Sequence, residues 1–326
     1  MVTSQEHPRS EARVTFPPGH WDTLVARIRE GKCTPVIGAG ACRPLLRTGA
    51  QLSLALDERQ RDRFPFPDRD NLARVAQFIA VVHRDAVRPK EEIHAILRTD
   101  LDSIGRDLPA SLVHLTLARI GAPIYLTTNY DDLMLRALSL RERVTPRPEL
   151  CRWTKQLLED EPSEFDNGFQ PSAFNPVVFH LHGALSRVES MVATEDDYLD
   201  FLVNIGKDLS SSPVAIGSER RAALPLPVRR ALTRTTLLFV GYSLADVNFR
   251  VILRALLGPL ERANRRLSVT LQLPPEDQHI DQNIEVVRTY LERYFDWTLD
   301  LQVCWGNAED FGAELSRRLD AAGVAP

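Results

Sequence analysis

Residues 123–140 read Pro123-Ile124-Tyr125-Leu126-Thr127-Thr128-Asn129-Tyr130-Asp131-Asp132-Leu133-Met134-Leu135-Arg136-Ala137-Leu138-Ser139-Leu140. Pro123 to Thr128 is apolar and β-branched without polar alternation, which predicts a strand covered on both faces. Asp131 to Leu140 then places apolar residues at helical spacing. A buried strand, a short polar turn and a helix form the repeating unit of a parallel sheet.

The same unit recurs outward in both directions. Upstream, Trp21–Glu30 predicts an amphipathic helix ended by Gly31, and Thr34–Ile37 a short buried strand running into Gly38-Ala39-Gly40. Helices are expected over Asn71–Val82, capped by Asp70, and around Lys90–Arg98 and Pro109–Ile120. Downstream, strands are expected over Val177–Leu181, briefly near Met191, and over Thr235–Val240, Ser268–Leu273 and Thr298–Trp305. Helices follow near Asp196 (capped there or at Thr194), over Asp246–Leu257 and Ile284–Tyr294, and from Ala308 to Ala322. The fold class implied is α/β, a Rossmann-like, mostly parallel sheet with helices on both faces and helical insertions. Residues 1–20 read as a loose tail and 21–322 as one domain, with inserted segments at about 43–120 and 141–175. The second insert is rich in charge and Pro and has no clean periodicity.

Composition narrows the function classes. The chain has 326 residues, enough for a sizeable core, with 44% apolar and 26% charged residues and a formal charge of −4. That balance does not advertise nucleic-acid binding. No apolar run reaches membrane-span length and no signal-peptide core is present, so a cytoplasmic protein is expected. Cys33, Cys42, Cys151 and Cys304 are far apart and form no C-x-x-C pair, which excludes a zinc ribbon.

In parallel sheets of this kind, ligands bind at the carboxyl ends of the strands. Those ends carry Gly38-Ala39-Gly40-Ala41-Cys42, Thr128-Asn129-Tyr130-Asp131, His180-Leu181-His182-Gly183, Gly241-Tyr242-Ser243 and Gly306-Asn307. Each admits a structural reading by itself. Gly-Ala-Gly lacks the third glycine of the dinucleotide fingerprint, Asn129 to Asp131 also suits a turn and helix cap, and His182 also suits a packed histidine. Glycines and small polar residues gathered at several strand ends point to a dinucleotide crevice.

The ordered set Gly38-Ala39-Gly40, Asn129-Tyr130-Asp131, His182-Gly183 and Gly241-Tyr242-Ser243 resembles the sirtuin superfamily, whose motifs are G-A-G-x-S, Q-N-x-D, H-G and G-x-S in that order. The likeness is closer to bacterial sirtuin-like effectors of anti-phage defence. It extends to Asp70–Phe78, Phe179–Gly183, Gly241–Asp246 and Trp305–Phe311, and covers roughly residues 21–320. Two features depart from the superfamily pattern. The paired zinc cysteines of the deacetylases are missing, and Cys42 replaces the motif serine.

The resemblance implies an NAD hydrolase that cleaves the nicotinamide–ribose bond and needs no metal. It implies that Asn129 orients ribose or water, that Asp131 holds the nicotinamide carboxamide, and that His182 is the general base. The NAD-binding set would be Gly38, Ala39, Gly40, Cys42, Thr128, Tyr130, Gly241, Ser243, Gly306 and Asn307. It further implies control by homo-oligomerisation or by a separate regulatory protein, such as a HerA-type ATPase or a short Argonaute, because unrestrained NAD loss would kill the host. The competing readings are a non-catalytic NAD or ADP-ribose sensor, an ADP-ribosyl transferase or deacetylase, and a metallohydrolase built on the His180-x-His182 pair.

Overall fold

A computed structural model describes residues 14–105, 107–109, 111–210, 221–242, 268–273 and 284–324. Its centre is a seven-stranded sheet, every neighbouring pair of which is parallel. The strands are β1 (Cys33–Ile37), β2 (Ile124–Thr127), β3 (Arg147–Leu150), β4 (Val177–His180), β5 (Thr236–Val240), β6 (Ser268–Gln272) and β7 (Leu301–Trp305), in the order β3-β4-β2-β1-β5-β6-β7.

Helices cover both faces, as an all-parallel sheet requires. On one side lie α1 (Pro18–Arg29), α5 (Val113–Ala118), α6 (Leu133–Ser139) and the last helix, Ala308–Ala321. On the other lie α8 (Glu195–Ser210), α9 (Leu226–Arg234) and α10 (Ile284–Leu299). The last helix is α11 in this numbering. Alternation along β5 shows how one strand serves both layers: Leu237 and Phe239 join the α8–α10 core, Leu238 and Val240 the α1–α11 core.

A third cluster sits beyond the sheet. Helices α2 (Gly49–Arg59), α3 (Leu72–His83) and α4 (Arg88–Ile104) pack Leu52, Leu56, Val75, Ile79, Ile93 and Ile96 together, and Tyr130 and Met191 enter the same core. This unit is tied to α8 by the buried Lys90–Asp197 ion pair at 2.9 Å and by Gln77, whose side-chain amide donates to Asp196.

Several local expectations shift. The 141–175 segment supplies β3, the sheet's edge strand, after which come α7 (Lys155–Asp160) and a short 3-10 turn. Its sequence, Arg-Pro-Glu-Leu, hides a strand from pattern reading, and Pro148 is tolerated because an edge position need not donate on its open side. Near Met191 the chain forms a 3-10 turn, Val188–Ser190, rather than a strand. Asn71, not Asp70, caps α3, accepting from the Arg74 N–H. Thr194 caps α8, its hydroxyl accepting from the Asp197 N–H while the Asp197 carboxylate accepts from Ala193 and Thr194. Thr15 pairs with Trp305 at the end of β7, and Phe16 is buried. The helix expected over Asp246–Leu257 lies outside the described residues.

From β1 the chain lays down β2, then β3 at the edge, and inserts β4 between them before returning to lay β5 against β1's other side. The switch point therefore lies between the ends of β1 and β5. There the two turns meet backbone to backbone. Gly38 and Gly40 donate to the carbonyls of Val240 and Gly241, and Ala41 to that of Gly38. Gly241 has φ +86°, and a Cβ on it would lie 2.2 Å from the Ala41 nitrogen and 2.5 Å from the Gly38 oxygen. Only glycine fits both conditions.

Gly241→Ala is therefore expected to destabilise the protein by about 1–3 kcal/mol from backbone strain alone, with the clash adding to it. Gly206→Ala, at a position in α8 where a Cβ meets nothing within 4 Å, should be neutral or stabilising. Denaturant midpoints of the two variants measure the contrast.

Candidate active site beside the switch point

The ends of β1, β2 and β4 converge on one buried polar cluster. Beyond β2, the Asn129 N–H donates to the Thr127 hydroxyl at 2.9 Å, which bends the chain and turns Asn129 towards β1. Its side-chain Nδ2 donates to the Cys42 sulfur at 3.1 Å. The Cys42 thiol in turn donates to Asp131 Oδ2 at 3.4 Å, and Asp131 Oδ1 accepts from the Leu133 N–H at the start of α6. Cys42 stands where the resemblance leads one to expect serine, and its sulfur joins Asn129 to Asp131.

Beyond β4, two histidines take different directions. His180 Nδ1 lies 3.1 Å from the backbone oxygen of Asn129, so it buttresses the β2 turn. The strand ends at His180, so alternation does not carry on to His182. The His182 ring instead packs edge-on against Tyr198 and Phe201 of α8, at centroid distances of 5.3 and 5.2 Å. The two histidines therefore do not share a face, and the metal pair suggested by their spacing is not formed. The next residue, Gly183, has φ +80°, and a Cβ there would fall 2.2 Å from the Ser190 carbonyl. Glycine after the histidine is a requirement of this turn.

Burial sets the charge state of the cluster. Asn129, Asp131, His180 and His182 are all under 9% exposed. Desolvation pushes the His182 pKa down to about 3, and its Nε2 has no hydrogen-bond partner among the described residues. The imidazole is therefore neutral at physiological pH, with one buried ring nitrogen left unengaged, and desolvation makes it a weaker base than a free histidine. Desolvation raises the Asp131 carboxyl and, together with the nearby Asp131 charge, the Cys42 thiol, which keeps the sulfur protonated.

The other expected residues are placed as follows. Thr128 lies on the rim, its hydroxyl donating to that of Tyr242, which itself donates to the Ile37 carbonyl. The Tyr130 hydroxyl donates to the Val192 carbonyl at 2.6 Å, and its ring fills the helical core rather than the crevice. Gly38 and Gly40 spend their N–H groups on the β5 turn, as described. Gly306 donates to Gln272, and Asn307 caps α11 by accepting from the Asp310 N–H. These two stand at the end of β7, three strands from β1, or about 14 Å by strand spacing. Ser243 lies outside the described residues.

Two participants were not singled out from the sequence. Tyr242 laces the ends of β5, β1 and β2, and its place within Gly-Tyr-Ser was the available signal. His114, on α5, brings Nε2 to 3.8 Å from the Cys42 sulfur. Nothing in its local sequence separates it from a core histidine.

An α/β chain with two glycine turns meeting at the switch point and Asn, Asp and His on adjacent strand ends belongs to a recognisable class. Residues 123–295 match the SIR2-like domain family, just over half of the chain, and the protein belongs to that family. It is similar to the NAD(+) hydrolase ThsA of Enterococcus faecium, 28% identical over 153 residues, covering 47% of this chain and 26% of that protein. It is also similar to the NAD(+) hydrolase ThsA of Bacillus cereus (strain MSX-D12), 26% identical over 166 residues, covering 51% and 29%. The similarity thus spans under a third of the length of either relative. Among the described residues no helix is long and apolar enough to cross a membrane.

The depressed His182 pKa has a consequence for stability. Unfolded, the imidazole titrates near 6.5, and folded near 3, so between these values the unfolded state binds more protons. Stability from this group is complete above about pH 6.5 and falls as pH drops towards 3. The melting temperature is expected to fall from pH 7 to pH 4, and less steeply in His182→Gln. Equal slopes in the two proteins would rule out His182 as a contributor.

Proposed function

We propose that the protein is an NAD glycohydrolase that cleaves the nicotinamide–ribose bond. The observation that carries the reading is that Asn129 and a neutral, unengaged His182 follow the ends of adjacent strands, β2 and β4. The similarity to two proteins named NAD(+) hydrolase supports it.

In the proposed reaction the N-glycosidic bond breaks and nicotinamide departs with the bonding pair. Positive charge develops on the ribose, as in glycoside hydrolysis. Water bonds to the anomeric carbon and gives up a proton to His182 Nε2, which passes it to solvent. The products are nicotinamide, ADP-ribose and a proton. Asn129 has its Nδ2 committed to sulfur, which leaves Oδ1 to accept from the water or from a ribose hydroxyl. Both carboxylate oxygens of Asp131 already accept within the protein, so Asp131 acts here by fixing Cys42 and the start of α6. Direct contact with the nicotinamide carboxamide would use the second lone pair of one of those oxygens.

The rest of the dinucleotide would run from this cluster across the turns at 38–42 and 241–242. Thr128 and Tyr242 would form its rim, while Tyr130 would hold the helical wall without touching it. Gly306 and Asn307 would meet only the far, adenine end. Control of such an activity by self-assembly or by a separate protein, in the setting of anti-phage defence, is part of the proposal and rests on the resemblance of the sequence.

Incubation of the purified chain with NAD, with and without candidate partner proteins, should release nicotinamide and ADP-ribose. Asn129→Ala and His182→Ala are each expected to lower the rate roughly 10²–10⁴-fold, the span a positioned acid–base group contributes. NAD recovered intact after binding would replace the hydrolase reading with a sensor. Unchanged turnover in either variant would remove that residue from the chemistry.

A further inference from the structure

Cys42, His114 and Asp131 come from three separate elements: the turn after β1, helix α5 and the turn after β2. Their Sγ, imidazole nitrogen and carboxylate oxygen lie within 4.8 Å of one another, and all three residues are buried. Sulfur is 3.8 Å from His114 Nε2 and 3.4 Å from Asp131 Oδ2. A tetrahedral zinc ion, with Zn–S about 2.3 Å and Zn–N or Zn–O about 2.0–2.2 Å, sets its ligands roughly 3.5–3.6 Å apart. The two separations to sulfur bracket that value.

His114 adds a second, independent observation. The ring is 1% exposed, yet its Nδ1 has no partner and its Nε2 has only the long contact to sulfur. A buried imidazole without an ordinary hydrogen bond leaves polar capacity unused at a cost. Its Nε2 lies on the Cys42 side of the ring, where the neutral tautomer protonated at Nδ1 would offer a lone pair to an ion between the three groups.

We infer that Cys42, His114 and Asp131 form a binding site for a thiophilic divalent cation such as Zn²⁺, and that filling it inhibits the site beside it. On binding, the Cys42 S–H bond breaks, the electron pair goes to the metal and the proton leaves to solvent. With thiolate, carboxylate and neutral imidazole, the Zn²⁺ charge is balanced, which suits a buried position. The same event takes Asp131 Oδ2 from the Cys42 thiol and puts a metal ion on the sulfur that orients Asn129. The inhibitory half of this inference rests on the proposed hydrolase; the binding half does not.

Metal-free full-length protein titrated with Co²⁺ tests the site directly. The wild type should take up one equivalent with a thiolate-to-cobalt charge-transfer absorption. Cys42→Ala should lose that absorption although Cys33, Cys151 and Cys304 remain. His114→Gln should lose tight uptake, and melting curves identify which variants are folded; Cys42→Ser serves if Cys42→Ala is not. No absorption in the wild type, or absorption that survives in a folded Cys42 variant, overturns the assignment. Zn²⁺ should then suppress nicotinamide release by the wild type and leave any residual release by His114→Gln unaffected. Full turnover by the zinc-loaded wild type overturns the inhibitory half. If no condition yields NAD cleavage, the hydrolase reading and its inhibition fail together, while the cobalt result still decides the site.

Discussion

The buried cluster at the strand ends depends on the contact between two glycine turns. Gly38 and Gly40 after β1, and Gly241 after β5, touch through their main chains with no side chain between them. This closes the carboxyl end of the sheet where its topology reverses. The contact holds the 3-10 turn that carries Cys42, and Cys42 holds Asn129 and Asp131. In a phosphate-binding reading, these glycines free their N–H groups for a ligand. Here three of the N–H groups in the turn are bonded to backbone carbonyls. The first requirement on the glycines is close approach, and any ligand is received on a turn already braced.

The fold was legible because its strands are short, apolar throughout and separated by helical periodicity. Burial on both faces removes alternation, and β1, β2, β4 and β5 show this pattern clearly. What stayed hidden had physical reasons. The β3 strand has an edge position, so Arg147, Pro148 and Glu149 can stand in it, and pairing with β4 alone defines it. Helix α9, Pro-rich at its start, has its face set by Val228, Ala231 and Leu232 against the sheet, a periodicity too brief to stand out.

The candidate site was half legible. Asn129, Asp131, His182 and Cys42 could be found because strand ends are where a parallel sheet places ligands. Their relations could not, because a hydrogen bond between Cys42 and Asn129 joins residues 87 positions apart. Alternation misled at β4. It holds while the strand lasts, but the turn after His180 swings His182 towards α8. Tyr130 shows the opposite limit. Its neighbours Asn129 and Asp131 face the cluster, while its own ring completes the core of the α2–α4 helices. One four-residue motif thus serves both the site and the packing of the unit beside it.

The cluster is held near neutrality by burial rather than by ion pairing. Desolvation lowers the imidazoles of His182 and His114, to about 3 and 4, and raises the thiol of Cys42 and the carboxyl of Asp131. A salt bridge would have fixed charges of its own and screened those arising in a reaction. A low-charge site leaves the field at the strand ends to be set by whatever enters it. In the proposed reaction, which builds positive charge on a ribose, Asp131 contributes through its hold on Cys42 and on the start of α6. For a divalent cation the same carboxylate, joined by sulfur and imidazole, is a ready counter-charge. The proposed hydrolysis and the inferred metal capture would thus draw on one property of the site, and Cys42 separates them. A serine hydroxyl in that position would orient Asn129 as well, but only sulfur among the two is a soft ligand.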